Sequence, residues 1–296
     1  MKQKIHYLIN LHAGTGKIKE QLYELIDYFS SCNYELCVHT TQSPEDVSRY
    51  IESHRDNIDT LAVSGGDGTL SEAIRSIMEN RIKPNILYIP CGSTNDYAYT
   101  LKMHGEPLET AKNIEHTFPR MIDVGQFNHT YFTYVAAFGM FTNIPYETPQ
   151  KYKNKIGYAA YILSGSKQVL RPTVNELIIE TKDKKFQGRF LLGMITNSIS
   201  VGGFKGLTGK NVKLNDGLFE VTLIKAPKNI FGMHNIIYNF INKKAKSKYL
   251  IRFKTDTIKI HAKEPIAWTL DGENGGIHKE AEIKNIKSAI SIYCPR

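Results

Sequence analysis

The sequence has little cysteine and no long apolar stretch. Its 296 residues include only four cysteines, which are Cys32, Cys37, Cys91 and Cys294. They are too few and too scattered for a disulfide framework or a zinc site, and they fit a reducing cytosol, so we expect a cytoplasmic protein. The most apolar segments, 131–141 and 156–163, are well short of the roughly 18 residues that a membrane span needs.

Patterns typical of nucleic-acid-binding domains are also missing. No RRM, KH or zinc-finger pattern occurs, and the ten histidines show no metal-ligand spacing. Lys and Arg number 38 against 29 Asp and Glu, so the formal net charge is +9. Such a balance is compatible with an anionic membrane surface, with phosphorylated substrates or with neither. The positive net charge is the only feature of the sequence that favours nucleic-acid binding, so we expect no nucleic-acid partner.

The first 125 residues alternate short apolar strands with amphipathic helices. Strand patterns lie at 5–10, 35–40, 60–64 and 85–90, and helical patterns lie at 17–30, after Ser43, at about 69–79 and after Thr94. This β-α-β-α order predicts an α/β domain with a doubly wound parallel sheet. Right-handed crossovers place the strand-to-helix loops along one edge of such a sheet.

The pattern changes near residues 120–128. From Ile122 onward, β-branched and aromatic runs separated by turn residues predict a mostly antiparallel β-sandwich. Two helical patterns interrupt these runs, at 156–170 and 229–241. With no linker between the two parts, we expect domains at 1–124 and 125–287.

Three glycine-containing loops follow strands of the first domain. They are GGDGT at 65–69, HAGTGK at 12–17 and PCGSTND at 90–96. Glycines let backbone amides approach a ligand, and helix N-termini favour anions. Asp67 adds a negative charge to the second loop. A carboxylate suits a phosphate site only if it acts through a metal ion; otherwise it could bind a ribose hydroxyl. Each loop could be an ordinary turn, but three on one edge predict a phosphate-binding rim.

Five segments, in this order, resemble the diacylglycerol kinase catalytic-domain family of soluble bacterial lipid kinases, more distantly related to NAD kinases. They are GGDGTLSEA at 65–73, PCGSTNDYA at 90–98, IDVG at 122–125, NDGLFEV at 215–221 and WTLDGE at 268–273. The resemblance implies an ATP-binding domain at 1–124, to which 288–296 returns, and a lipid-substrate β-sandwich at 125–287, with a cleft between them. It also implies a magnesium-dependent transfer of the ATP γ-phosphate to the hydroxyl of diacylglycerol, giving phosphatidic acid.

The resemblance assigns roles to single residues. Its nucleotide-binding set is Asn10, Gly14, Thr41, Gly65, Gly66, Asp67, Gly68, Thr69, Thr94, Asp96 and Asp123. Asp67 also counts as catalytic, and Glu273 would be the general base that takes the hydroxyl proton. Asp271 would point the same way on a strand, where it could orient the base or bind a metal through water. We further hypothesise that Asp67, Asp96 and Asp123 share a hydrated Mg²⁺, since clustered carboxylates repel one another without a cation.

The segment 215–217 is most simply a tight turn, and the resemblance adds a structural Mg²⁺ held by Asp216 and the carbonyls of Lys213 and Leu218. Lysines at 151–155 and 243–248 would favour peripheral binding to an anionic membrane that carries the lipid substrate, or form a solvated face.

Three alternatives stay open. The acceptor could be another lipid or NAD, or the chain could be a non-catalytic nucleotide sensor. The resemblance also leaves a homodimer open.

Overall fold

A computed structural model describes residues 3–14, 16–103, 105–140, 173–202, 204–205, 212–228, 232, 236 and 247–295. The chain divides into two compact units. One comprises 1–124 with 287–296, and the other comprises 125–286. No helix in the described part of the chain is long and apolar enough to cross a membrane.

The first unit alternates strands and helices. Its elements are β1 Lys4–Ile9, α1 Lys17–Ser31, β2 Glu35–Thr40, α2 Pro44–Ser53, β3 Thr60–Gly65, α3 Asp67–Asn80, β4 Asn85–Pro90, α4 Asp96–Thr100 and α5 Pro107–His116. Strand β1 pairs in parallel with β2 and β3, and β3 pairs in parallel with β4. The last part of β15 (Glu273–Tyr293) pairs in parallel with β4. The parallel pairing predicted for β1 to β4 is therefore present.

Both faces of this parallel sheet are covered by helices. Tyr7 of β1 packs edge-on against Phe29 of α1, in a cluster that also contains Ala111 of α5. His6, which precedes Tyr7 in β1, faces the opposite side of the sheet and contacts Tyr50 of α2. Helix α1 packs on α5, and α2 packs on α3. This two-sided covering is the doubly wound arrangement that the sequence predicts.

The second unit is built from strands. They are the end of β5 Pro119–Phe127, then β6 Thr130–Phe132, β7 Val135–Gly139, β8 Asn175–Glu180, β9 Lys185–Thr196, β10 Ser200–Val201, β11 Phe204–Lys205, β12 Phe219–Lys225, β13 Leu250–Thr255, β14 Thr257–Leu270 and most of β15. The pairings of β9 with β7, β8 and β12, and of β14 with β7, β8 and β15, are antiparallel. The helical pattern at 156–170, most of the pattern at 229–241 and most of the lysines of the two groups lie outside the described residues.

Two long strands organise the core of the second unit. Strand β9 pairs with β8 through its first half and with β7 through its second half. Strand β14 does the same with β8 and β7 in turn. The buried side chains between them form one cluster around Trp268, Phe138 and Phe219. The antiparallel strands are as predicted, and the two-layered sandwich stays a prediction.

Candidate functional site

The three glycine-containing loops meet at the carboxyl end of the parallel sheet. A Cβ on Gly14 would lie 2.1 Å from the carbonyl oxygen of Cys91, and a Cβ on Gly92 would lie 2.6 Å from the Cα of Gly66. Each loop therefore touches another at a position where only a hydrogen fits. The loops after β1, β3 and β4 form one packed group, which we call the three-loop rim.

Polar side chains join the first loop to the second. The amide of Asn10 donates a 3.0 Å hydrogen bond to Oγ1 of Thr69, and its Oδ1 accepts from the backbone N–H of His12. Thr41, which is buried, donates its backbone N–H to the carbonyl of Ile9 at 2.9 Å. Asn10 and Thr41 thus directly follow β1 and β2, and Thr69 lies in the first turn of α3. Their role in nucleotide binding stays a prediction.

Asp67 binds the backbone of the third loop. Its Oδ2 accepts a 2.7 Å hydrogen bond from the N–H of Asp96, and its Oδ1 accepts a 3.2 Å bond from the N–H of Tyr97. The buried Tyr88 hydroxyl lies 3.4 Å from Oδ1. The carboxylate therefore caps the start of α4, a role that sequence reasoning did not assign.

The other two aspartates of the predicted magnesium network are both buried. Asp96 is buried at the start of α4. Asp123 of β5 is fully buried and accepts a 2.7 Å hydrogen bond from the N–H of Ser288. Within the described residues, no three His, Cys, Asp or Glu side chains are grouped to hold a metal ion. The shared, hydrated Mg²⁺ at Asp67, Asp96 and Asp123 stays a prediction.

The outer surface of the three-loop rim carries exposed polar groups. Gly68, Ser93 and Thr94 are exposed, so their backbone or hydroxyl groups are accessible to a ligand. Cys91, in contrast, is half-buried, and its burial raises the pKa of its thiol to about 12. A thiol with such a pKa is protonated at neutral pH and contributes packing rather than nucleophilic chemistry.

In the second unit, Asp271 lies in the hairpin turn between β14 and β15. Asp271 and Gly272 have φ values of 53° and 89°, and Leu270 pairs with Glu273 across the turn. Positive φ at both central residues is typical of a two-residue type I′ hairpin, which Asp-Gly favours. The prediction that Asp271 and Glu273 point the same way on a strand is wrong, because the strand ends at Leu270.

The Asp271 carboxylate is buried and holds a neighbouring loop. It accepts hydrogen bonds from the N–H groups of Thr133, Tyr134 and Val135 at 2.5, 2.9 and 3.0 Å. The Tyr134 hydroxyl also donates to the Asp271 carbonyl. With three amide donors on its carboxylate, Asp271 fixes the turn, and its catalytic role stays a prediction. Glu273, at the first position of β15, is exposed and available as a base.

Asp216, the predicted metal ligand, has partners on both oxygens. Its Oδ1 accepts a 3.1 Å hydrogen bond from the N–H of Leu218, and its Oδ2 accepts one from Nζ of Lys254 at 3.2 Å. The first contact is the Asx turn expected of a tight turn. The second is an ion pair to β13 that sequence spacing does not reveal.

Comparison with known proteins agrees with the order of these motifs. Residues 4–127 match the model of the diacylglycerol kinase catalytic domain. A diacylglycerol kinase of Bacillus subtilis (strain 168) is 30% identical over 298 residues, covering 99% of this chain and 97% of that protein. A diacylglycerol kinase of Staphylococcus carnosus (strain TM300) is 29% identical over 299 residues, covering 100% of this chain and 96% of that protein.

A solved structure shares the fold. The crystal structure of a diacylglycerol kinase from Bacillus anthracis str. Sterne matches with a TM-score of 0.77 at 22% identity, covering 99% of this chain and 97% of that one. At that identity the likeness shows the fold alone. The relative at 30% identity is matched over nearly all of both chains, and this match shows the family as well as the fold. The protein described here is a lipid kinase that belongs to the diacylglycerol kinase catalytic domain family.

Proposed function

We propose that the protein transfers the γ-phosphate of ATP to the hydroxyl of diacylglycerol or a closely similar lipid, giving phosphatidic acid. The observation that carries the proposal is the three-loop rim, in which glycines pack three strand-end loops together and leave polar groups exposed. Such a rim at the carboxyl edge of a parallel sheet is where α/β folds bind phosphates. The curated relatives of nearly equal length are named diacylglycerol kinases, which supports the acceptor.

The phosphates of ATP would lie against residues 65–69 and 92–95. Helix α3 starts at Asp67, so the positive end of the helix dipole favours the phosphate charge. Asn10 and Thr41, at the ends of β1 and β2, would contact the rest of the nucleotide. Asp67 keeps the third loop in place for this binding rather than meeting the phosphates itself.

Mg²⁺ would enter with the nucleotide and offset the charge of its phosphates. The described carboxylates form no direct three-ligand site for the ion. Mg²⁺ is usually held by one or two carboxylates together with substrate phosphates and water, so the water-mediated network of Asp67, Asp96 and Asp123 stays part of the proposal.

Glu273 would act as the general base on the acceptor. As the lipid hydroxyl oxygen bonds to the γ-phosphorus, its proton moves to the Glu273 carboxylate while the bond to the β-phosphate oxygen breaks and ADP leaves. The exposed carboxylate follows a turn that Asp271 ties to three backbone amides. That anchoring limits the orientations of the base, which favours proton transfer.

The lipid acceptor requires contact with a membrane surface. We propose a cytoplasmic protein that binds the surface of an anionic bilayer peripherally, assisted by its basic balance of +9. A homodimer is compatible with this proposal and is not required by it.

The acceptor can be identified by offering several at once. The purified protein is incubated with labelled ATP and Mg²⁺ in detergent micelles containing diacylglycerol, monoacylglycerol or a sphingoid base, and separately with NAD in buffer. We expect labelled phosphatidic acid. Label in another lipid would change the acceptor, and label in NAD alone would reject a lipid substrate. Binding of ATP without transfer to any acceptor would favour the nucleotide sensor.

A further inference from the structure

A lysine lies beside Asp216, the side chain at which the family resemblance implies a structural cation. Lys254 of β13 lies 3.2 Å from Oδ2 of Asp216 and 2.7 Å from Oε1 of Glu220. Glu220 belongs to β12 and pairs directly with Lys254 across the two strands. One ammonium group therefore bridges two carboxylates that belong to the turn and to the strand that follows it.

The bridge is partly protected from water. The side chain of Glu220 is 6% exposed and that of Asp216 is 22% exposed. A carboxylate as buried as that of Glu220 is stable in its charged form only beside a compensating positive charge. Lys254 supplies that charge from within the chain.

A divalent ion does not fit beside this lysine. Mg²⁺ binds oxygen ligands at about 2.0–2.1 Å in a near-octahedral arrangement. At Asp216, one oxygen already accepts the Leu218 N–H and the other faces the ammonium of Lys254. An ion bound to Asp216 would lie within a few ångströms of that ammonium, and the two like charges would repel each other.

We propose that the ammonium of Lys254 is a built-in cation that replaces the structural Mg²⁺ implied at Lys213, Asp216 and Leu218. The turn at 214–217 and the pairing of β12 with β13 are then stable without a divalent metal. This inference concerns stability alone, so it stands or falls independently of the acceptor proposed above.

Thermal unfolding of the full chain, without nucleotide, tests the proposal. Wild type, Lys254→Met, Asp216→Asn and the double variant are each melted in excess EDTA and in millimolar Mg²⁺. Lys263→Met is the matched control, because Lys263 pairs with Glu176 at 3.0 Å on an exposed part of the same unit. We expect the Mg²⁺ response of wild type to equal that of Asp216→Asn.

The variant without the lysine should behave differently. In EDTA, Lys254→Met should melt roughly 5 °C below wild type, because two carboxylates lose their shared partner. Mg²⁺ should recover part of that loss in Lys254→Met and none of it in the double variant. Lys263→Met should melt close to wild type in both conditions, since exposed ion pairs contribute little.

Two results would overturn the proposal. One is a Mg²⁺ stabilisation of wild type that disappears in Asp216→Asn, which would show an ion at Asp216 despite the lysine. The other is a folded Lys254→Met variant that ignores Mg²⁺, since the two carboxylates would then form no cation site. If Lys254→Met fails to fold, the comparison of wild type with Asp216→Asn still decides.

Discussion

Three aspartates of the two units use their carboxylates to bind backbone N–H groups. They are Asp67, Asp123 and Asp271. Each accepts at least one hydrogen bond from a backbone N–H that is far along the chain. Hydrogen bonds to a charged acceptor are stronger than neutral ones, and a buried amide left without a partner is destabilising. These aspartates therefore hold loops in place through hydrogen bonds to the backbone.

Replacing Asp67 should loosen the third loop. In Asp67→Ala the N–H groups of Asp96 and Tyr97 lose their acceptor, so we expect the free energy of unfolding to fall by about 2 kcal/mol. ATP affinity should fall as well, because the loop at 92–95 is no longer fixed. Urea denaturation and nucleotide titration measure the two effects. Asp56→Ala, at an exposed side chain, is the control, and equal stability of the two variants would contradict the capping role.

His6 makes the stability of the first unit sensitive to acid. Its ring is 1% exposed and its Nδ1 lies 2.9 Å from the Tyr50 hydroxyl. Burial, followed by the nearby His54, lowers the pKa of His6 below its ordinary value of 6.5. Below that pH the unfolded chain takes up a proton that the folded chain does not, so the folded state loses stability as pH falls.

The His6→Asn variant should remove this sensitivity. Between about pH 6.5 and 5, the free energy of unfolding of wild type should fall by up to about 1.4 kcal/mol per pH unit more than that of the variant. Urea denaturation followed by far-ultraviolet circular dichroism over a pH series measures the difference. His116→Asn, at an exposed histidine, should keep the wild-type slope. Parallel curves for wild type and His6→Asn would contradict the assignment.

At the scale of elements, the loops of the first unit depend on close backbone contact. Gly14 has a φ of 59° and Gly16 a φ of 82°, so both lie in the left-handed region. They differ in surroundings, because a Cβ on Gly14 would meet the Cys91 carbonyl whereas one on Gly16 would meet nothing within 4 Å. The pair separates the effect of backbone strain from that of packing between loops.

Gly14→Ala should therefore be more damaging than Gly16→Ala. Both variants carry the left-handed strain of about 1 kcal/mol, and Gly14→Ala must also push the first loop away from the third. We expect ATP affinity to fall roughly tenfold more in Gly14→Ala than in Gly16→Ala, a difference of about 1.4 kcal/mol. Titration with a fluorescent ATP analogue measures it. Equal losses would show that packing between the loops does not shape the site.

Much of the first unit could be predicted from periodicity. The strands at Glu35–Thr40 and Asn85–Pro90 have the predicted bounds, because apolar runs bounded by polar turns identify buried strands well. Helix α5 was not predicted, although Leu108, Ala111 and Ile114 recur at three-residue spacing and Pro107 suits the first helical position. The lengths of β14 and β15 are hard to predict from periodicity, because charged residues on their exposed faces interrupt the apolar runs.

The loops that form the site could be predicted from the sequence, but the contacts between their residues could not. Glycine-rich segments after strands can be found by spacing, and so can the Asp-Gly turn at residues 271–272. The partners of the aspartates cannot, because Asp67 bonds residues 29 and 30 positions away and Asp271 bonds residues more than 130 positions away. Nothing in the sequence alone shows that these carboxylates are already used.

At the scale of the whole molecule, the two units contribute different parts of the proposed reaction. The first unit holds the three-loop rim, and the second unit holds Glu273 on a hairpin fixed by Asp271. The likeness to diacylglycerol kinases extends over both units. Loss of the base should therefore leave nucleotide binding intact while it removes transfer.

Transfer of labelled phosphate from ATP to diacylglycerol in mixed micelles, compared among wild type, Glu273→Gln and Glu280→Gln, tests this account most directly. Glu280 is an exposed glutamate of the same strand, paired only with His261 at 3.5 Å among the ion pairs of the described residues. We predict that Glu273→Gln lowers kcat by about 100-fold or more while ATP affinity is unchanged, and that Glu280→Gln resembles wild type. Wild-type turnover in Glu273→Gln would contradict the account.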